Sequence, residues 1–484
     1  MTSRLKTAAS QVDITAPEYR ALLQNLQANI IKSHGRDFTR HIFIELTADA
    51  ARSRRWLREH LAPKVTSALT HFEAAARRRA SPRRSVDGGT STGFFLTASG
   101  YTRLGFDTSA FESQSYRNGM KSHAARAELG NEDPPVAEWA PGFQGEIHGL
   151  ITLADDSPGA LEAQTLSLIE SLQGIANVPV LDHGNVLRRQ SEAVEHFGYL
   201  DGLSQPLFTR QDLDAHAKRH PNSESWDPSA ELGLVLVTDP LAPGEDAFGS
   251  YLVYRKLRQY VPLFRALVSR LSDALDIDPA LAGAYVVGRF QSGTPVVLSQ
   301  SAAAESSRAN DFNYTDDALA RRCPFQAHIR KANPRGTAPG TSLEVEKARR
   351  IARRGIPYGP PIDAATADNI AADDREVPRG LLFMAFQADI DEQFAFMQRA
   401  WIDDARFPTA LMGTAPPLPD TGADPLIGQN RAHGLGDPDA ATSYRWPARW
   451  GQDVAPRRHP FASAVELEGG EYFFAPSLPF LNSL

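Results

Sequence analysis

Strand-like apolar runs that pass directly into helix-like stretches, in two separate blocks of one chain, constrain this sequence more than any other feature. HIFIEL (His41 to Leu46) reads as a strand, and the Ala-, Arg- and Leu-rich stretch from about Ala50 to Arg79 has helical spacing. GFFLTASGYTRLGF (Gly93 to Phe106) reads as a strand and helix. EIHGLITLADD (Glu146 to Asp156) adds a strand before an amphipathic helix from Leu161 to Leu172. The order returns in GSYLVYRKL (Gly249 to Leu257), which runs into a helix through Leu271, and in GLLFMAFQADI (Gly380 to Ile390), which leads into DEQFAFMQRAWIDDA. Helices follow strands one at a time, yet long excursions intervene. That order predicts an α+β chain of two related halves, each an antiparallel sheet covered by helices, over a doubly wound parallel sheet.

Length agrees with two units, because 484 residues exceed the size at which one hydrophobic core usually keeps growing, so two cores are expected. The chain is 42% hydrophobic and 23% charged, an ordinary globular balance. With 51 basic and 58 acidic residues its net charge is −7, which gives no general attraction for nucleic acid or anionic lipid and points to a small-molecule partner. A single cysteine, Cys323, excludes an intrachain disulfide and a cysteine zinc cluster, and a reducing cytoplasm suits such a chain. No export signal is visible at the N-terminus, and no run has the 18 or more apolar residues of a membrane span. The basic run RRRASPRRS (Arg77 to Ser85) reads as a solvated loop.

Long Pro-, Gly- and Asp-rich tracts, Ser204 to Glu231, Asn333 to Ser342, Tyr358 to Arg379 and Met412 to Trp446, flank the residues with chemical potential and are expected to wall a pocket. GYLDG (Gly198 to Gly202) offers a carboxylate, Asp201; AHIRKANPR (Ala327 to Arg335) offers an imidazole, His328; IARRGIPYG (Ile351 to Gly359) offers guanidinium groups. Each has a plain structural alternative. Asp201 suits a turn that bonds its own backbone, His328 a satisfied core histidine, and Arg353 and Arg354 the basic end of a helix stopped by Gly355 and Pro357.

Taken together, HFGYLDGLSQP (His196 to Pro206), CPFQAHIRKANPR (Cys323 to Arg335) and RRGIPYG (Arg353 to Gly359) strongly resemble the dye-decolorising peroxidase family, in its larger members with extended loops. NLQANIIKSHGRDFTRHIFIEL (Asn25 to Leu46), GRFQSGTPVVLS (Gly288 to Ser299), GLLFMAFQADI and DPLIGQ (Asp424 to Gln429) are also similar to family segments. The resemblance implies two ferredoxin-like halves, residues 25–205 and 206–484, with haem b in the second. It implies His328 as the iron ligand and Asp201 and Arg353 on the opposite, distal face. Arg353 is preferred to Arg354 because it stands two residues before Gly355 in the pattern R-x-G-I-P. Asp424 is implied as the carboxylate behind His328, with a turn before proline as its alternative. Arg330 and Arg335 are expected either to meet haem propionates or to lie exposed to solvent, and Leu381, Phe383 and Phe386 to line the pocket or pack the strand.

The implied activity is reduction of hydrogen peroxide coupled to one-electron oxidation of small aromatic donors such as dyes and phenols. Asp201 would move a proton, and Arg353 would stabilise the charge that develops. The alternative is a haem carrier or sensor of the same fold with little turnover; a homo-oligomer is left open. Cys323, five residues before His328, is a less favoured iron ligand. Trp401, Tyr358 and Tyr444 are candidate electron relays that the sequence does not distinguish from structural aromatics. No G-x-S-x-G elbow, H-E-x-x-H zinc helix or phosphate-cradling glycine loop supports a hydrolase or nucleotide-dependent reading.

Overall fold

In the computed structural model of the chain, eight antiparallel strands close into a ring built from two similar sheets. The structure describes residues 3–80, 88–130, 133–221, 225–302, 310–361, 377–409, 420–429 and 443–484. The part of the basic run at 81–85, and most of the tracts expected after Tyr358 and Met412, lie outside the described residues.

The first sheet comprises β1 (Phe38–Leu46), β2 (Ser91–Leu96), β3 (Gly149–Asp155) and β4 (Ala176–Asn185), in the order β2-β3-β1-β4. The second comprises β5 (Phe248–Gln259), β6 (Ile356–Tyr358), β7 (Gly380–Gln387) and β8 (Val465–Ala475), in the order β6-β7-β5-β8. Each half therefore places its first strand between its third and fourth, the same arrangement twice. The sheets meet edge to edge at two narrow seams, where Phe474 of β8 pairs with Leu96 of β2 and Tyr358 of β6 with Gly184 of β4. The apolar runs predicted the strands with β-branched and aromatic character. They missed β4, interrupted by Pro179 and Asp182, β6, three residues long with a central proline, and β8, which carries Gly469 and Gly470.

Helices α1 (Ala68–Ala80) and α2 (Pro158–Ser171) belong to the first half, α3 (Val261–Leu275) and α4 (Pro279–Val287) to the second. The single helix expected from Ala50 to Arg79 is broken: Ala50–Trp56 passes into a π-helical turn at Leu57–Leu61, and Val65 at ψ 122 ends the run before α1. Pro63 explains the break, since it lacks the amide that would continue the ladder. After β7 the chain winds as π-helical turns, Ile390–Ala395 and Gln398–Ile402.

Two cores were expected, one to each half; among the described residues one main core spans both halves, with a small separate cluster of Ala338, Met397, Trp401, Ile402 and Phe407. Phe43 of β1 touches Phe143 at 5.0 Å, Tyr254 of β5 at 4.9 Å and Phe473 of β8 at 6.2 Å between ring centroids, so aromatic contacts inside the ring bridge the halves. Each such fully buried ring contributes roughly 1.5–3 kcal/mol. Polar contacts cross as well: Tyr254 and Lys256 donate to Asp182 of β4, at 3.1 and 2.6 Å. Closing the ring lets both halves share apolar surface, which is why length did not force separate cores. Among the described residues no helix is long and apolar enough to cross a membrane.

Candidate active site

The long connection between β5 and β6, the segment after β4 and the π-helical turns together wall one large cavity. By a measure in which a single water needs only ~10–15 Å³, it amounts to about 280 Å³. Apolar side chains dominate its lining, among them Leu257, Ile329, Leu381, Phe383, Phe394, Met397, Leu426 and Ile427. Asp201, His328, Arg335 and Arg353 line the same space.

His328 opens a short helix, α5 (His328–Ala332). Its Nδ1 lies 2.7 Å from Oδ2 of Asp424, whose side chain is wholly buried while the imidazole is 24% exposed. The other carboxylate oxygen of Asp424 accepts the amides of Leu426 and Ile427, at 2.8 and 3.1 Å. Asp424 thus caps its own turn and bonds the imidazole at once. A carboxylate on Nδ1 fixes the tautomer and leaves Nε2, on a ring that lines the cavity, as the nitrogen with a free lone pair.

Asp201 sits on a tight loop after β4. Gly198 at φ 91° and Gly202 at φ 76° supply the left-handed turns that bracket it. Its amide donates to Ala193 O at 3.1 Å, and its Oδ1 accepts the Gly202 amide at 2.6 Å. Glu195, which the sequence reading did not single out, clamps this loop. Its carboxylate accepts the amides of Phe197 and Tyr199 at 2.8 and 2.9 Å and Nε2 of Gln259, from β5, at 2.6 Å. Burial pushes Glu195 up to about 7, with the charge of Asp201 acting in the same direction.

Arg353 lies not at the end of a helix but on a two-residue strand, Ala352–Arg353, paired with Ala385 and Phe386 of β7. The preceding helix, Leu343–Ala348, ends earlier. Its guanidinium donates to Leu203 O at 2.7 Å and its amide to Oε1 of Gln205 at 3.1 Å, so Arg353 is tied to the loop that carries Asp201. Strand alternation sends Arg354 the other way, into carbonyls of Asn29 and Ile30 at 2.6 and 2.7 Å. Arg354 does not line the cavity, and burial lowers it to about 10.

Arg335 joins the wall through a strained corner. It and Ser204 are non-glycine residues at φ 55° and 60°, and Arg335 donates to Ser204 Oγ and to Asn310 Oδ1, both at 2.6 Å. Its guanidinium covers the Phe312 ring at 3.8 Å. Arg289 and Arg350, neither singled out beforehand, also line the cavity. Burial lowers each to about 10.

Arg330 corrects the expectation of a propionate ligand. It is 4% exposed, away from this cavity, bonded to Asp317 Oδ2 at 3.0 Å and to the carbonyls of Cys323 and Asp317 at 2.6 and 2.9 Å. The reason is angular, since two helical residues turn the side chain roughly 200° from His328. Phe386 also misses the cavity and packs against Phe95 at 5.9 Å. Cys323 is fully buried, with its thiol pushed up to about 12 by desolvation, the state of an inert small hydrophobe. Trp401, Tyr358 and Tyr444 are all buried.

A family model described as the DyP dimeric alpha+beta barrel domain matches residues 25–186. The chain is 38% identical over 475 residues to the multifunctional dye peroxidase DyP2 of an Amycolatopsis species, covering 96% of this chain and 97% of that protein. It is 31% identical over 426 residues to the dye-decolorizing peroxidase msp1 of Mycetinis scorodonius, covering 82% and 76% respectively. Among solved structures, the DyP-type peroxidase AnaPX of an Anabaena species superposes with a TM-score of 0.89 at 35% identity, over 100% of this chain and 99% of that one. The fungal DyP-type peroxidase of Auricularia auricula-judae gives 0.73 at 26% identity, over 95% and 98%.

Proposed function

We propose, from the premise that the chain belongs to the dye-decolorising peroxidase family, that its cavity holds haem b and uses it to reduce hydrogen peroxide while oxidising dyes and phenolic compounds in one-electron steps. Residues 25–205 and 206–484 are its two halves in this reading. One observation carries it: an apolar cavity is lined at once by an imidazole whose far nitrogen is locked by a buried carboxylate, by an acid and by a guanidinium.

The donor set fits a haem. Among the described residues no three His, Cys, Asp or Glu groups gather to hold a bare ion. A single imidazole facing a long apolar space suits an iron whose other ligands belong to its own macrocycle. His328 would bind the iron through Nε2 while Asp424 keeps the ring oriented. Arg335, Arg289 and Arg350, which line the cavity, would supply the cationic groups for the propionates. When bound, the haem supplies the electron-transfer chemistry with peroxide and donor.

The chain's own residues then manage protons and charge. The carboxylate of Asp201 would take the proton from the near oxygen of hydrogen peroxide and return it to the far oxygen, which leaves as water. The guanidinium of Arg353, permanently charged, would hold the anion formed after the first proton loss and the charge that grows as the O–O bond breaks. Leu203 O and Gln205 tie Arg353 to the loop that carries Asp201, so acid and cation both border the space where peroxide would sit. The apolar walls exclude bulk water from that space and strengthen both effects.

Absorption spectra of haem-reconstituted protein, before and after one equivalent of peroxide, test the reading. A prompt change in the Soret band is expected, slowed in Asp201→Asn and Arg353→Leu and altered or lost in His328→Ala. A Soret band indifferent to peroxide would identify a carrier instead.

A further inference from the structure

Behind the imidazole stands a buried ammonium that the activity has not used. Lys331 follows His328 by three residues on α5, a spacing that brings two helical side chains to one face. Lys331 is wholly buried, and its Nζ donates to the carbonyls of Trp401 at 3.1 Å and Asp404 at 2.6 Å. Asp424 hangs from the same turn, because its amide donates to Ile402 O at 2.8 Å. Asp424, the acceptor of the His328 proton, and the Lys331 ammonium therefore both bond to one tetrapeptide, Trp401 to Asp404.

Electrostatics gives this arrangement a purpose that packing does not. Burial lowers Lys331 to about 8, and among the acids that counter this, Asp424 acts most strongly, ahead of Asp404 and Asp403. An ammonium without solvent is costly to bury, and two neutral carbonyl acceptors do not by themselves call for a positive charge. Its charge is therefore the property to explain, and the buried carboxylate of Asp424 is the group it acts on. A positive charge near that carboxylate weakens it as an acceptor, so the imidazole keeps more of its Nδ1 proton and donates less density through Nε2.

We propose that Lys331 is a positioning residue whose buried charge sets how strongly Asp424 draws the Nδ1 proton of His328, and thereby the ferric/ferrous reduction potential of the iron that His328 binds. The inference rests on His328 being the iron ligand. Removing the charge should favour the ferric state twice over: the iron loses a neighbouring positive charge, and a freer Asp424 makes the imidazole a stronger donor.

The test is a spectroelectrochemical titration of the haem-loaded protein with Lys331→Met, Lys331→Gln and Lys331→Arg, beside His328→Ala. The two neutral variants should shift the midpoint to lower potential while leaving the ferric Soret band that of a histidine-bound haem, and the arginine should return the midpoint toward the parent value. A parental midpoint in a neutral variant overturns the proposal. So does failure of both neutral variants to fold while Lys331→Arg folds, which would assign the ammonium to stability alone. If His328→Ala leaves the haem spectrum unchanged, the reading of His328 fails instead, and the two failures are separated.

Discussion

The two halves of the ring use one strand order for different ends. In the first half the described part of the stretch between β1 and β2, residues 47–80 and 88–90, is largely helical, and its buried polar groups are Ser53, Ser67 and His71. In the second half the equivalent stretch between β5 and β6, residues 260–355, is more than twice as long and carries His328, Arg289, Arg335 and Arg350 to the cavity. The sheet of each half is the same kind of object. In the second half most of the cavity wall is carried by the chain inserted between its first two strands, together with the π-helical turns and the segment around Asp424, while the first half contributes the loop that bears Asp201.

This contrast can be broken most sharply at His328. His328→Ala should abolish stable haem retention, seen as loss of the Soret band after gel filtration, while the circular dichroism of the ring persists. In the ring itself, Phe43→Ala should cost about 3–5 kcal/mol in denaturant unfolding, the range for a fully buried aromatic, because Phe43 packs on both halves. Its peroxide response should survive wherever the protein is folded; a lost response in folded protein would mean that ring and cavity are not separable. Arg353→Leu should slow peroxide activation by about 10²–10³-fold, the usual effect of removing one charge-stabilising donor. Asp424→Asn should lower haem affinity or turnover by about 10–100-fold, as expected when the partner of a ligating histidine is lost.

The smallest effect separates the first-half core from the cavity wall by pH. In the first half, burial lowers His41 and His71 from the ordinary 6.5 to about 4. The unfolded chain then binds the extra protons, so stability is full above about 6.5 and falls as pH drops toward 4. Beside the cavity the sign reverses. Burial raises Glu195 from 4.5 and Asp403 from 3.8 to about 7, so the folded form binds the protons and this stability declines as pH rises toward and through 7. His71→Gln should flatten the acid side of a melting-temperature profile and Asp403→Asn the other side. A profile in which each substitution moved both limbs would refute the assignment.

Much of this was written in short segments. Strands rich in branched and aromatic residues announced themselves through alternation, whereas β4, β6 and β8 hid behind proline, acid or glycine and are strands only because neighbours pair with them. Asp201, His328 and Arg353 stood out because each lies in a distinctive segment, and Asp424 followed from resemblance. Arg330 went astray because spacing along a chain says nothing of direction, although the helical angle from His328 would have excluded it. Glu195 stood one residue before a quoted motif without a signal of its own, since its role depends on Gln259 arriving from another strand. Lys331 lay inside a quoted motif without a signal of its own, because burial of a lysine is decided by the turn that covers it.

The bond from Arg353 to Leu203 O has a dynamic consequence. Acid and cation reach the cavity from segments about 150 residues apart in sequence, yet the carbonyl that anchors one belongs to the loop that carries the other. Any slow excursion of that loop must carry both groups or break the bond between them. Relaxation measurements on labels at Asp201 and Arg353 should therefore return one shared exchange rate, the mark of a two-armed jaw moving on a single hinge.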